Sequence, residues 1–297
     1  MSASNVSVIF DTPGPRGRAM GRLIGIVGIL LCVVLGIIAV YLLRGQLLRP
    51  EYWKLFLEPE TWQNYILEGL GNTLKATALS VVFAIIFGLV FGVARLSHSR
   101  IINIPASIVV EFFRAVPVLM MMLAAWYALM QYPVAFIPGD QIALAAVVIG
   151  LTLYNGSVIA ELVRSGVHSL PKGQGEASMA LGMTRSQTLR EVLLPQAITA
   201  MLPSLLAQLV VVLKDTALGY IVTYNELLRA ISTLYSSGGI LVGLIGAALI
   251  FIVLNYALTL FAAFVERRLR TRRAGRSVGA GVVPVPGTAN RNIRPDA

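Results

Sequence analysis

Three sets of charged residues interrupt or end long apolar runs, and these are the positions where the chain could do chemistry. Glu111 and Arg114 stand three residues apart, with Pro117 three further on. Glu161 and Arg164 repeat the offset. Lys214 and Asp215 are adjacent and close an apolar run, with Gln208 seven residues before Asp215 on the same helix face. A three-residue offset brings opposite charges onto one face of a helix, where they can pair. An unpaired charge at mid-bilayer costs about 2.5–3.5 kcal/mol on the insertion scale, so pairing or closeness to the membrane surface is expected. Pro117 removes one backbone hydrogen bond and predicts a bend. The set of reactive side chains argues against catalysis. His98 and His168 are the only histidines and Cys32 the only thiol, with no nucleophile–base or metal-ligand pattern. No Gly-x-x-x-x-Gly-Lys-Ser/Thr run exists to cradle nucleotide phosphates. The charges therefore point to ion pairing, bracing or solute contact.

A second pattern is polar. Gly173-Gln174-Gly175-Glu176-Ala177-Ser178-Met179-Ala180-Leu181-Gly182, then nine residues, then Val192-Leu193-Leu194-Pro195, separates two apolar runs. Hydrocarbon cannot satisfy the polar groups of such an island, so it lies outside the lipid. The spacing predicts two short helices broken at Gly182, with Ala177, Ala180 and Leu181 as a small-residue face that could seat in another protein's groove. An ordinary solvated amphipathic loop is the bland alternative.

The rest of the chain must position these groups in a membrane. Of 297 residues, 57% are hydrophobic and 13% charged, with a mean hydropathy of +0.78. Soluble chains carry about 25% charged residues, so this composition excludes a soluble globular domain. Spans need about 20 apolar residues, and six runs qualify: 23–43, 70–94, 104–130, 142–162, 197–213 and 240–265. The first follows Arg16, Arg18 and Arg22 as a secretory signal would. Its apolar core is longer than the ~7–15 residues of a signal, and no Ala-x-Ala site follows, so it reads as a retained anchor. Cys32 lies within it and is expected to pack as a small apolar residue.

The net charge of +10 does not indicate nucleic acid, because the basic residues cluster beside the spans and set orientation. One side collects Arg16, Arg18, Arg22, Arg95, Arg100, Arg164, Lys172, Arg185, Arg190 and the run from Arg267 to Arg273. The other has Arg44, Arg49, Lys54 and Arg229, the first three diluted by Glu51, Glu58, Glu60 and Glu68. The positive-inside rule places both termini and the polar island in the cytoplasm. The expected organisation is a cytoplasmic segment 1–22, an extra span 23–43, an external linker 44–67 with the interface-seeking Trp53 and Trp62, a five-helix core 68–267 holding the island at 165–195, and a basic, disordered tail 268–297.

The island closely resembles the EAA loop of ATP-binding-cassette import permeases, departing from it in having Ser178 where Ala is usual. Around it, Gly69-Leu70-Gly71-Asn72-Thr73-Leu74, Glu111-Phe112-Phe113-Arg114-Ala115-Val116-Pro117, Tyr154-Asn155-Gly156-Ser157, Leu194-Pro195-Gln196-Ala197 and Leu213-Lys214-Asp215-Thr216-Ala217-Leu218 are similar to segments of that family's polar amino-acid uptake branch. The likeness covers about 68–267, two thirds of the chain. The extra first span and the Trp-containing stretch look like the D-type permease subunit of bacterial glutamate importers.

This resemblance implies an all-α integral membrane subunit of a bacterial cytoplasmic-membrane importer. Gly175, Glu176, Ala177, Ser178, Ala180, Leu181, Gly182, Leu194 and Pro195 would couple it to an ATPase, with Gly182 giving the break and Pro195 the angle of re-entry. Gln208, Lys214, Asp215 and Thr216 would line the substrate path, the adjacent Lys and Asp meeting both ends of an amino acid. Alternatively, that pair anchors the helix at the outer interface. Glu111, Arg114 and Pro117 would form a structural hinge rather than touch substrate, and Glu161 with Arg164 would brace the loop's base or form a plain surface pair. Implied partners are a pair of cytoplasmic ATPases, a second permease subunit, an external solute-binding protein and the bilayer. ATP and Mg would sit on the ATPase and no cofactor on this chain. An ion-coupled secondary amino-acid carrier is the competing reading, but it would be expected to work without an ATPase and to carry buried carboxylates or repeat symmetry, which are not seen in the sequence.

Overall fold

The computed structural model describes residues 14–277, and among these the regular structure is helical. The long elements are α1 (Pro15–Leu47), α2 (Leu67–Arg95), α3 (Arg100–Ala115), α4 (Val118–Gln131), α5 (Ile142–His168), α6 (Lys172–Ala180), α7 (Leu194–Ala200), α8 (Leu202–Asp215), α9 (Leu227–Leu234) and α10 (Ile240–Ser277). Among the described residues five helical stretches are long and apolar enough to cross a membrane, or six if α3 and α4 together make one span.

The predicted third span is not one helix. It divides into α3 and α4, whose axes differ by 101°. Val116 and Pro117 are both extended, with ψ of 129° and 135°. Pro117 has no N–H to donate and pushes the residue before it out of the helical region. Apolar continuity from 104 to 130 concealed this, because hydropathy reports burial in lipid and says nothing of direction.

The bundle is built on α2 and α5. One face of α2 carries Gly69, Thr73, Ala76, Ser80, Ala84, Gly88 and Gly92, all buried, a small-xxx-small stripe that lets helix backbones approach closely. A Cβ on Gly92 would lie 2.9 Å from Val163 Cβ and 3.1 Å from the Ala160 carbonyl. On Gly156 it would lie 2.8 Å from the ring of Phe87. The main core joins Ala76, Met122, Val147, Leu151 and Val212 to Val222 and Tyr224 of the turn after α8. A second core, Ile66, Leu227, Ile231, Tyr235, Val242 and Ala247, lies beneath α9.

Boundaries differ from expectation in several places. Helix α1 begins at Pro15, a favoured first-turn residue, and so takes in Arg16, Arg18 and Arg22. None of its residues is buried, and Cys32 is exposed rather than packed. The linker 44–67 is mostly helical turns, in which the indole N–H of Trp53 donates to the Leu47 carbonyl (2.8 Å) and that of Trp62 to the Phe56 carbonyl (2.7 Å). Helix α10 runs on to Ser277, past the expected start of the tail at 268. The remainder of that tail lies outside the described residues, as does the chain before Gly14.

Candidate functional site

The polar island folds as a knuckle of two helices. Helix α6 ends at Ala180, and Gly182 has φ +84°, the left-handed region that only glycine enters without penalty. The Gly182 N–H donates to the Met179 carbonyl (3.0 Å) and the Met183 N–H to that of Ser178 (3.2 Å), the paired bonds of a Schellman stop. The next helix opens immediately. The Thr184 hydroxyl accepts from the Gln187 N–H (3.3 Å), while the Gln187 side chain accepts from the Thr184 N–H (2.8 Å), a reciprocal capping box. Its Thr184-Arg185-Ser186-Gln187 pattern was readable in the sequence.

Glu176, Ala177, Ala180 and Leu181 are exposed on this knuckle, Leu181 at 85%. Gly175 is half-buried. Ser178 differs from the expectation that it would belong to the docking face. It is buried on a helix that packs against the segment Thr188–Leu193, and its hydroxyl donates to the Gln174 carbonyl (2.8 Å). A small residue is needed there to let α6 lie close to its own protein, and the exposed face is formed by its neighbours.

Leu194 and Pro195 open α7 after a widened turn spanning Thr188–Leu193. Pro195 has no N–H for the carbonyl one turn earlier, and the wider turn absorbs that loss. The helix passes through Pro195 without a break. The turn into the next span falls later, at Met201, just before Pro203 of α8.

At the base of the knuckle the charges form one network, though not with the expected partners. Glu111 and Arg114 do not pair with each other. Glu111 meets Arg95 Nη2 (3.2 Å), and Arg114 meets Glu161 (3.4 Å). Glu161 also takes Arg95 Nη1 at 2.6 Å and Arg164 Nη2 at 2.6 Å, so three guanidinium groups converge on one carboxylate. The Arg95 side chain is only 5% exposed, and the Asn103 amide donates to its backbone carbonyl. Arg95 thus ties together the ends of α2, α3 and α5. The sequence offered it only as an orientation charge, since its partners lie 16 and 66 residues away.

Among the proposed path residues, Gln208 is engaged. Its amide donates to Asn155 Oδ1 (2.6 Å), and the buried Asn155 in turn donates to the Leu151 carbonyl (3.0 Å). Thr216 is buried, its hydroxyl given to the Leu213 carbonyl (2.6 Å), while Lys214 is exposed and Asp215 half-buried at the end of α8. Gln208 and Lys214 are about 9 Å apart along the helix axis at 1.5 Å per residue. Six residues also turn Lys214 about 120° away from Gln208 around the helix, so the two do not share one contact point.

The far end of α2 is locked by a set of residues that the sequence reading left unassigned. Tyr224 donates its hydroxyl to the Asn72 carbonyl (2.8 Å), Asn72 donates to the Asn225 carbonyl (2.9 Å), and the Leu227 N–H donates to Thr73 (3.1 Å). Between them Glu226 is fully buried as the cap of α9, accepting from the Leu228 and Arg229 N–H groups (2.8 and 2.7 Å). Burial lifts its carboxyl to about 7, against the pull of those two amides.

Comparison with known proteins accords with this geometry. Residues 81–271 match the model of the binding-protein-dependent transport system inner membrane component family. The glutamate transport system permease protein GluD of Corynebacterium glutamicum is 47% identical over 82% of this chain and 88% of its own length. The glutamate/aspartate import permease protein GltK of Escherichia coli O157:H7 is 32% identical over 69% of this chain and 93% of its own. Among solved structures, an amino acid ABC transporter crystallised with histidines superposes with a TM-score of 0.60 at 30% identity, covering 68% of this chain and 93% of that one. The MetNI methionine ABC transporter in an inward-facing form superposes at 0.59 with 26% identity. The chain belongs to the family of binding-protein-dependent transport system inner membrane components.

Proposed function

We propose that this chain is the glutamate-handling permease subunit of an ATP-driven importer in a bacterial cytoplasmic membrane. On this reading its termini and knuckle face the cytoplasm, and it works beside a second permease subunit, a pair of ATPases and an external solute-binding protein. The observation that carries the reading is the exposed face of Glu176, Ala177, Ala180 and Leu181, held away from the bundle by the inward Ser178 and the turn at Gly182. A face of small side chains on a short, firmly stopped helix suits insertion into a groove of another protein. Kinship with GluD and GltK supports glutamate or aspartate as the solute.

In this cycle the ATPases displace α6. The ion network passes that displacement to the ends of α2, α3 and α5, and the bundle rocks between outward and inward openings. Gln208, Asn155, Lys214 and Asp215 offer amide and charged contacts along α8 and α5 to a solute carrying both charges. A test uses a Cys32→Ala chain carrying Glu176→Cys. In whole cells an impermeant maleimide is expected to leave this thiol unlabelled, and in inside-out vesicles to label it unless the ATPase is bound. Labelling from the cell exterior would end the proposal.

A further inference from the structure

The geometry points to a binding site for an anionic phospholipid of the cytoplasmic leaflet, in a cavity between the knuckle and the end of α2. It rests on the cytoplasmic placement of the knuckle proposed above. The cavity holds about 1210 Å³, more than the ~300–1,000 Å³ common for small-molecule pockets. It is walled by the last turn of α2, the start of α3 and the segment from Thr184 to Leu193.

Three observations identify the occupant. The first is charge. Arg185 and Arg190 line the cavity together with Arg95, and no carboxylate is among its lining residues. Arg95 is already neutralised by Glu161 and Glu111, but among the described residues no ion pair engages Arg185 or Arg190. A basic recess at the cytoplasmic border of a bundle attracts anionic headgroups. The second is unmet hydrogen bonding. Arg95 and Thr188 both line the cavity at 7% and 4% exposure, and Arg95 Nε and Thr188 Oγ1 have no partner. Buried polar atoms of this kind are normally satisfied. The third is the route of entry. Val90 and Ile102 belong to the lining and are 59% and 50% exposed, and Val90 continues at helical spacing the exposed apolar stripe of Phe83 and Ile86 on α2. The recess is thus continuous with apolar surface that faces hydrocarbon. A water-soluble anion has no use for such a slot, whereas an acyl chain lies along it while the phosphodiester reaches the arginines.

The test uses the intact transporter, delipidated in mild detergent and titrated with phosphatidylglycerol, phosphatidylcholine or soluble glycerophosphate, with bound lipid counted by native mass spectrometry. Phosphatidylglycerol is expected to bind saturably to this subunit and phosphatidylcholine weakly, with glycerophosphate failing to compete. Arg185→Gln with Arg190→Gln is expected to weaken binding about 30-fold, from about 1 kcal/mol per basic residue near a charged surface. Arg185→Lys with Arg190→Lys should restore it. Ile102→Trp, which keeps every charge and narrows the lipid-side slot, should also lose the lipid. Equal binding of phosphatidylcholine, full competition by glycerophosphate, or unchanged binding in both the double Gln variant and Ile102→Trp would each overturn the assignment. Retention of the ATPase is scored separately in every variant, so loss of the lipid site is distinguished from loss of motor docking.

Discussion

Replacing Arg95 by Gln should destabilise this chain far more than replacing Arg164, although both contact Glu161 at 2.6 Å. The difference comes from burial. The Arg95 side chain is 5% exposed and bridges three helices, whereas that of Arg164 is 36% exposed and reaches only one turn along its own. Removing one partner of a buried ion pair costs about 3–5 kcal/mol, because the remaining charge is left without compensation. Here Glu161 retains Arg164 and Arg114 and is 21% exposed, so the expected loss is reduced to about 2–3 kcal/mol. For Arg164, whose removal leaves Glu161 paired with Arg95 and Arg114, the value of a pair at three-residue spacing, about 0.3–0.5 kcal/mol, applies. At roughly 2–4 °C per kcal/mol for a chain of this size, Arg95→Gln should lower the apparent melting temperature of the purified complex by about 4–12 °C, and Arg164→Gln by at most about 2 °C. A double-mutant cycle sharpens the test. Coupling of Arg95 to Glu161 should exceed its coupling to Glu111, whose side chain is 67% exposed. If Arg164→Gln proves as damaging as Arg95→Gln, or the Glu111 coupling is the larger, burial does not rank these contacts and the reasoning fails.

Two further outcomes follow from the knuckle and from the lock at the other end of α2. Gly182→Val has open space around it, but its φ of +84° strains a β-branched residue by at least ~1–2 kcal/mol. Uptake should be lost at unchanged membrane abundance, while Gly182→Asn, which tolerates that conformation, should keep much of it. Solute uptake in cells with immunoblotted membranes decides between them, and wild-type uptake by the valine variant would refute the role of the turn. Glu226, with its carboxyl raised to about 7, folds more readily protonated than ionised. Its stabilising contribution is therefore full below the ordinary carboxylate range and is lost as pH rises through about 7. The apparent melting temperature should fall between about pH 5 and pH 8, and Glu226→Gln should flatten the profile. A wild-type profile unchanged by Glu226→Gln would remove this carboxyl as the cause.

The spans were legible because about twenty consecutive apolar residues have few other uses, and the knuckle because Gly182 and the polar run around it mark a helix stop outside lipid. What could not be read was partnership across the fold. The three-residue rule knows only its own helix, so it paired Glu111 with Arg114, when each is bonded to a neighbouring helix. Arg95 looked like an orientation signal because a cation at a span's end has the same sequence appearance whether it faces water or a buried carboxylate. Asn155 gained its meaning from Gln208, 53 residues later. Ser178 was counted among the coupling residues from the family resemblance, whereas helix rotation turns it inward. The bend at Val116–Pro117 was foreseen in kind, but its 101° turn was not. A proline signals that a helix must change, and only the surrounding packing sets by how much.

The glycine and alanine stripe along α2 also limits how this protein can move. Where Gly88 rests on Ile159 and Gly92 on Val163, the intervening side chains are β-branched and stiff, with little freedom to pivot or switch rotamer. Two rods joined in this way travel as one beam. Alternation of access would then be taken up by α3 and α8, whose attachments include charged arms and an amide pair that can lengthen and re-form, whereas α4 is seated by Met122 against Gly150. In hydrogen-exchange or distance-label measurements the α2–α5 seam should stay fixed through the cycle, and it is the natural reference against which every other displacement in the transporter is measured.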